Sequence, residues 1–150
     1  TAGTLKVTIR ESITLKGKDQ GSTTELSITN INEISSRIIT VPASEVEIIA
    51  ISTAVSSGTF VEGNVRYIRI TNLDDTNHVT LIFKDEDATE FAIKVDAGHS
   101  FIYPGDNSGG VVDTMHAGGS ALTVSLNDLV NITAEADTAA CDLELFIASV

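Results

Sequence analysis

The sequence predicts an all-β fold, an antiparallel β-sandwich or jelly roll that forms a single domain over residues 1–150. Three observations predict it. Short apolar runs alternate with polar residues at a period of two, as expected for strands with one face on a core. Clusters of Asp, Asn, Ser and Gly separate these runs at the spacing of a meander. Side chains branched at Cβ are abundant and no long helical pattern is present, so two packed antiparallel sheets are favoured over an α/β fold.

The N-terminal segment begins the alternation. Its apolar residues all stand at odd positions: Leu5, Val7, Ile9, Ile13 and Leu15. The pattern predicts two short strands, or one bent strand, with one face on a core. Residues 17–22 form a turn cluster, after which Leu26 and Ile28 resume the alternation.

The next segment is less regular. Ile31, Ile34 and Ile38 are at mixed spacing, which is compatible with a short helical turn within residues 30–37. The strand at residues 38–41 ends at Pro42, because proline lacks the N–H that a ladder needs. Residues 45–55 form the most apolar strand, and its middle is expected to be buried on both faces.

Short strands with turns between them fill the rest of the chain. They are predicted at residues 65–71, 79–84, 90–95, 100–103, 121–126, 129–136 and 140–148. The turn at residues 96–98 needs a positive φ at Gly98, so Gly98→Val is expected to destabilise the domain.

Residues 104–120, PGDNSGGVVDTMHAGGS, form a long Gly-rich loop. Most connections span only about 4 to 6 residues, and longer ones usually carry function or disorder. We therefore expect this loop and the tyrosine before it to hold subunits together. The candidate interface residues are Tyr103, Asp106, Val111, Val112, Met115 and His116.

Charge and composition exclude several classes of function. The net charge is −12, and no cluster of Lys or Arg is present to neutralise phosphates, so we predict no nucleic-acid partner. The acidity suits solubility at high ionic strength or, as an alternative, a cationic partner. No apolar run approaches the ~20 residues of a membrane span, and residues 1–5 do not resemble a signal peptide. The single cysteine, Cys141, is expected to be a small buried hydrophobe.

Reactive groups are sparse, and we predict no enzyme and no cofactor. His78, His99 and His116 have no ligand spacing, and no nucleophile or phosphate-loop motif is present. The acidic clusters at residues 74–75 and 85–87, with Asp106, offer oxygen ligands for calcium, but turn formation explains them better. No metal site is therefore predicted. Core packing is favoured over ligand stacking for the aromatic residues of the strands, Phe60, Tyr67, Phe83, Phe91, Phe101 and Phe146.

Four stretches carry a resemblance to a known group of proteins. They are RYIRITN (66–72), HVTLIFK (78–84), EFAIKVDAGHSFIYPGD (90–106) and NITAEADTAACDLELFIASV (131–150). These stretches resemble the β-sandwich structural proteins of tailed bacteriophages, especially small virion proteins of marine phages.

The resemblance implies a capsid decoration or cement protein that stabilises the head by subunit contacts. It implies a virion location after synthesis in the host cytoplasm, partners among the major capsid or other virion proteins, a homotrimer, and no catalytic residues. The alternative is a carbohydrate- or receptor-binding module of a head or tail appendage. The absence of Trp and the presence of only two Tyr count against sugar recognition.

Overall fold

The computed structural model describes residues 1–104, 112–113, 124 and 126–150, and among these residues it contains strands and no helix. Their strands, in chain order, are β1 (Gly3–Arg10), β2 (Thr14–Leu15), β3 (Lys18–Asp19), β4 (Thr23–Ile31), β5 (Glu33–Val41), β6 (Val46–Ser52), β7 (Phe60–Val61), β8 (Val65–Asn72), β9 (Val79–Asp85), β10 (Glu90–Val95), β11 (Ser100–Pro104), β12 (Val112–Asp113), β13 (Asn127–Ala136) and β14 (Cys141–Ser149). No helix in this part of the chain is long and apolar enough to cross a membrane.

Two sheets form the sandwich. The first sheet has the order β10-β9-β13-β6-β7, with β12 paired to β13, and the second has the order β11-β8-β14-β5. Every pairing is antiparallel except the short parallel contact between β6 and β7. The all-β sandwich class predicted from the alternation is therefore confirmed.

One hydrophobic core fills the space between the sheets. The second sheet contributes Ile68 and Ile70 from β8 with Leu143 and Leu145 from β14, and the first sheet contributes a matching set from alternate positions of β6, β9, β10 and β13. Phe83 is fully buried at the centre, where its ring stacks on Phe91 with centroids 4.6 Å apart. Burying large apolar side chains is the main force that holds such sheets face to face.

A buried amide joins two of the turns that connect the sheets. Asn72, at the end of β8, donates Nδ2–H to the carbonyls of Asn77 (2.9 Å) and Val95 (3.1 Å). Its Oδ1 accepts the N–H of Asp74 at 3.0 Å. Gly98 lies in the second of these turns with φ of 74°, as the turn pattern predicted. The side chain of Asn72 thus satisfies backbone groups that would otherwise be buried without partners.

The N-terminal strands lie outside the two sheets. Among the described strands β1 and β4 pair only with each other, and β2 and β3 extend the same hairpin. Hydrogen bonds from Glu11 N–H to Ser22 O (2.8 Å) and from Gln20 N–H to Ile13 O (2.9 Å) link the two parts. We call residues 3–31 the arm.

Several sequence predictions are corrected here. The compatibility of residues 30–37 with a helical turn was misleading, because Asn30 turns the chain with φ of 62° and β5 then begins at Glu33. The turn cluster at 17–22 contains β3, and the tight turn is made by Lys16 and Gly17, both at positive φ. In β6, only Ile49 and Ile51 are fully buried, so the strand is not buried on both faces.

Other predictions are confirmed or lie beyond the described residues. β5 ends at Val41, directly before Pro42. Cys141 is fully buried, and burial raises the pKa of its thiol. The strand predicted at residues 121–126 falls largely outside the described residues, and the two residues that are described, Val124 and Leu126, belong to no strand.

Candidate interaction surface

The arm has one apolar face and one polar face. Because directly opposed residues of an antiparallel pair share a face, the register of Leu5 with Ile28 and of Val7 with Leu26 puts these four side chains on one side. The intervening residues, including Lys6 and Arg10, occupy the other side. The alternation predicted in the sequence is therefore present.

Only the base of the arm is covered. A second, smaller core forms where Ile28 and Ile31 meet Tyr67 and Ala148 on the outer face of the second sheet. Leu5, Val7 and Phe146 pack around it. Tyr67 and Phe146 meet edge to face with ring centroids 6.0 Å apart. These contacts anchor the arm to the sandwich at one end.

Beyond this base the apolar face of the arm is exposed. The exposed fractions are 45% for Ile9, 54% for Ile13, 54% for Leu15 and 50% for Leu26. From Val7 to Leu15 the chain advances about 26 Å, at about 3.3 Å per residue. A monomer rarely exposes several large aliphatic side chains on one element, and such a patch is typical of an interaction site.

A second exposed apolar patch lies beside the arm, on the outer face of β5. Ile34 is 52% exposed and Ile38 is 61% exposed. An open groove of ≈ 370 Å³ runs from this patch to the arm, between Leu5, Ile31, Ile34 and Phe146. Within the described residues β5 pairs only with β14, so its other edge has unpaired backbone groups.

Acidic side chains flank this patch. Glu144 is directly opposite Ile38 on β14, and Asp142 is opposite Thr40. Glu144 Oε1 lies 2.6 Å from Arg69 Nη2, and the Asp142 carboxylate accepts the Thr40 hydroxyl at 2.8 Å. We define the β5 patch as Ile34 and Ile38 with Asp142 and Glu144 beside them.

The outer face of the first sheet differs in character. Lys84 Nζ lies 3.0 Å from Glu45 and 3.4 Å from Glu90. Hydrogen bonds from Thr133 and Lys84 lower the pKa of Glu45. Asn131 Nδ2 donates to Glu47 at 2.9 Å. Among the described residues this face is polar, and none of its large aliphatic side chains is exposed to the extent of Ile34 or Ile38.

Formal charge is distributed unequally between the arm and the rest of the chain. Residues 1–31 contain four of the nine Lys and Arg residues and three of the 21 Asp and Glu residues, a net charge of +1. The remaining 119 residues therefore have a net charge of −13, which together with the arm gives the −12 of the whole chain. Lys16 and Lys18 lie at the tip of the arm, beside Leu15.

Of the six residues predicted for the loop interface, the structure describes Tyr103 and the backbone of Val112. Tyr103 lies in the core with 7% of its surface exposed, and its ring stacks on Phe83 at 5.3 Å. The backbone of Val112 pairs with Asp128 in β12. The other four, Asp106, Val111, Met115 and His116, lie outside the described residues. The interface prediction for that loop thus stays a prediction, while the ring of Tyr103 contributes to core packing.

The side chains considered for catalysis or metal binding have local partners. His78 Nδ1 lies 3.7 Å from Asp137, and His99 Nδ1 lies 3.0 Å from the carbonyl of Ala97. The Asp74 carboxylate accepts the N–H groups of Asn77 (2.6 Å) and Thr76 (3.1 Å), and these bonds lower its pKa. In the part of the chain that the structure describes, no three His, Cys, Asp or Glu side chains are grouped to hold a metal ion.

A further acidic group lies at one end of the sandwich. Glu62 follows β7 and approaches Asp128 and Glu86, so partial burial and the two neighbouring carboxylates raise its pKa. Asp85 is buried beside them, where its carboxylate accepts the N–H groups of Asp87 (3.0 Å) and Thr89 (2.8 Å). These bonds form a turn and explain this acidic run.

Comparison of the chain with protein-family models, with curated proteins and with solved structures gives no significant match. Function therefore has to be argued from the surface itself.

Sequence reasoning missed the arm as a surface. The alternation of Leu5, Val7 and Ile9 is identical to that of a strand on a core, so it predicted burial for all three. One signal was available: Lys and Arg are concentrated in the first 18 residues of an otherwise acidic chain. A segment with the opposite charge balance is a candidate for contact with an acidic surface.

Proposed function

We propose that this protein is a structural virion protein of a tailed bacteriophage, of the capsid decoration or cement type. In this role it stabilises the head by subunit contacts, as a homotrimer bound to the major capsid protein or to other virion proteins. The observation that supports the proposal best is the arm, whose apolar side chains Ile9, Ile13 and Leu15 are about half exposed. A protein that acts by contact needs such a surface.

Two further observations favour contact over chemistry. Among the described residues, the histidines and the acidic turns have the local partners reported above, and the largest aromatic cluster is used for core packing. The four phage-like sequence stretches contribute strands β8, β9, β10, β11, β13 and β14, which make up most of both sheets. A sandwich that presents a hairpin with exposed apolar side chains is a suitable building unit for a lattice.

Cosedimentation with undecorated heads of the phage that encodes the chain tests the proposal. The wild-type chain is expected to bind at saturable stoichiometry and to raise the temperature at which the heads rupture. The variant I13S/L15S is expected to bind at least about tenfold more weakly, because two exposed aliphatic anchors are removed.

Val55→Ser is the matched control, because Val55 is 90% exposed but lies in the connection after β6. It is expected to bind like wild type. Failure of the wild-type chain to bind heads would contradict the proposal, and binding to a glycan in its place would favour the carbohydrate- or receptor-binding alternative.

A further inference from the structure

We infer that the arm of one copy of this chain docks on the β5 patch of a second copy, with the arm tip seated in the groove beside Ile34. This inference deepens the self-association in the proposed function and does not depend on its virion part. Three observations identify a second copy of the chain as the occupant of the patch. The arm and the patch are both apolar, their charges are opposite, and the arm leaves the patch of its own chain exposed.

The apolar surfaces match in kind. The tip offers Ile13 and Leu15, and the patch offers Ile34 and Ile38, all of which are more than half exposed in the single chain. The groove between Leu5, Ile31, Ile34 and Phe146 already has apolar walls, and its volume of ≈ 370 Å³ accommodates one or two aliphatic side chains. Joining the two surfaces removes both from water.

The charges are complementary. Lys16 and Lys18 flank the apolar residues of the tip, and the carboxylate of Asp142 lies beside those of the patch. Glu144 also lies beside the patch, but it is already paired with Arg69 of the same chain, so Asp142 carries the charge argument. More broadly, the arm has a net charge of +1 and the rest of the chain −13. Two copies of an acidic body repel each other, and contact through the arm, which is not acidic, reduces that repulsion.

In the single chain the arm leaves the patch uncovered. The arm is anchored at its base by Ile28 and Ile31, and its apolar residues beyond Val7 remain exposed although the patch lies on the same outer face. Tip and patch are different surfaces, so the contact is compatible with two arms exchanged about a two-fold axis and with a head-to-tail, heterologous arrangement. Heterologous contacts close into rings when the rotation permits, and a trimer is one such ring.

Sedimentation equilibrium of the full chain, with and without substitutions, tests the inference. The wild-type chain is expected to form a closed oligomer. Leu15→Ser on the arm and Ile38→Ser on the patch are each expected to weaken association by about tenfold or more, because each removes one buried aliphatic anchor. Val55→Ser, at an exposed valine that belongs to neither the arm nor the β5 patch, is expected to change the dissociation constant by less than about twofold.

A charge exchange separates contact from a general effect on folding. Lys18→Glu and Asp142→Lys are each expected to weaken association about two- to fivefold, and the double variant to recover most of the loss. Lys94→Glu is the matched control, because Lys94 is exposed at the edge of the first sheet, 3.2 Å from Asp96. All variants are checked for an unchanged melting temperature.

The outcomes discriminate among the alternatives. A wild-type chain that stays monomeric at millimolar concentration overturns the inference. It is also overturned if Leu15→Ser dissociates the oligomer while Ile38→Ser leaves it intact, because the arms would then contact each other and not the β5 patch. A monomer that still binds undecorated heads overturns this inference and leaves the proposed function standing. If the substitutions dissociate the oligomer as expected but the wild-type chain does not bind undecorated heads, this inference stands and the proposed function is contradicted.

Discussion

Gly21 lies where the returning strand of the arm crosses the backbone at Glu11. An ideal Cβ on residue 21 would lie 1.9 Å from the carbonyl oxygen of Glu11 and 3.0 Å from Cα of Ser12. Real contacts of a Cβ atom are not that short, so Gly21→Ala forces the two strands apart. The substitution thus perturbs the arm at one point without touching the sandwich core, all of whose residues follow the arm in sequence.

The free energy that Gly21→Ala is expected to cost follows from the hydrogen bonds around this crossing. Three bonds hold it: Glu11 N–H to Ser22 O at 2.8 Å, Gln20 N–H to Ile13 O at 2.9 Å, and Gly21 N–H to the Asp19 carboxylate at 2.9 Å. At about 1 kcal/mol each, the loss of all three costs about 3 kcal/mol. The equilibrium constant for local opening of the tip then rises roughly 100-fold. A two-stranded hairpin is only marginally stable by itself, so the strain is relieved by local opening.

Hydrogen exchange and thermal unfolding distinguish local from global effects. In Gly21→Ala, exchange at the amides of Glu11 and Gln20 is expected to accelerate by up to about 100-fold, while the melting temperature falls by less than about 4 °C. Gly63→Ala is the control, because a Cβ there meets nothing within 4 Å and the residue has no positive φ. If arm and sandwich unfolded as one unit, the full 3 kcal/mol would lower the melting temperature by about 6–12 °C, and that result would refute the reasoning.

Three further predictions concern the sandwich. Asn72→Ala removes three side-chain hydrogen bonds and is expected to cost about 3 kcal/mol in urea unfolding; an unchanged midpoint would contradict it. Gly98→Val is expected to cost about 1–2 kcal/mol from the positive φ alone, because a Cβ there has open space; a midpoint equal to that of wild type would be inconsistent with this strain. Glu62→Gln is expected to stabilise the protein at pH 7 by a few tenths of a kcal/mol, because burial and nearby Asp128 and Glu86 raise the native pKa above 4.5. As the pH falls through the raised pKa, Glu62 of the native wild type takes up a proton before the unfolded chain does, and the wild type gains stability relative to the variant. The difference between their urea midpoints is therefore expected at pH 7 and should disappear at pH 4. An equal difference at both pH values would exclude the raised pKa of Glu62 as its cause.

The strands of the sandwich were predictable because the sequence pattern and the burial agree. In β9 alternate residues are buried against the opposing sheet, and Asp, Asn or Gly stand in the turns on either side of it. The pattern therefore reports directly which face meets the core.

β5 was poorly predicted for the opposite reason. Its inward residues Ile39 and Val41 pack on the core, but Ile34 and Ile38 point outward and are exposed. Apolar residues on both faces of an edge strand give a mixed spacing that also suits a helical turn. The irregular pattern was a consequence of the exposed patch, and the same exposed isoleucines are what make β5 a candidate interface.

The arm shows the limit of periodicity as a guide to function. A period of two specifies that one face is apolar, but it does not specify what covers that face. Whether Ile9 and Leu15 contact a core or solvent depends on how the hairpin is attached to the sandwich. It is attached through Tyr67 and Ala148, which lie about 36 and 117 residues after Ile31 in the sequence. Contacts at that separation leave no local signal in the sequence.

The order of strands within the sheets has a consequence for biosynthesis. β14 lies between β8 and β5, and β13 lies between β9 and β6, so each sheet lacks an inner strand until the last quarter of the chain has been made. A ribosome that has completed β11 therefore holds two incomplete sheets with open edges, and the core cannot close before β13 and β14 have been made. Folding of the sandwich is expected to begin only after residue 149 has left the ribosome. The arm pairs only strands from residues 3–31, so it can form as soon as these residues emerge.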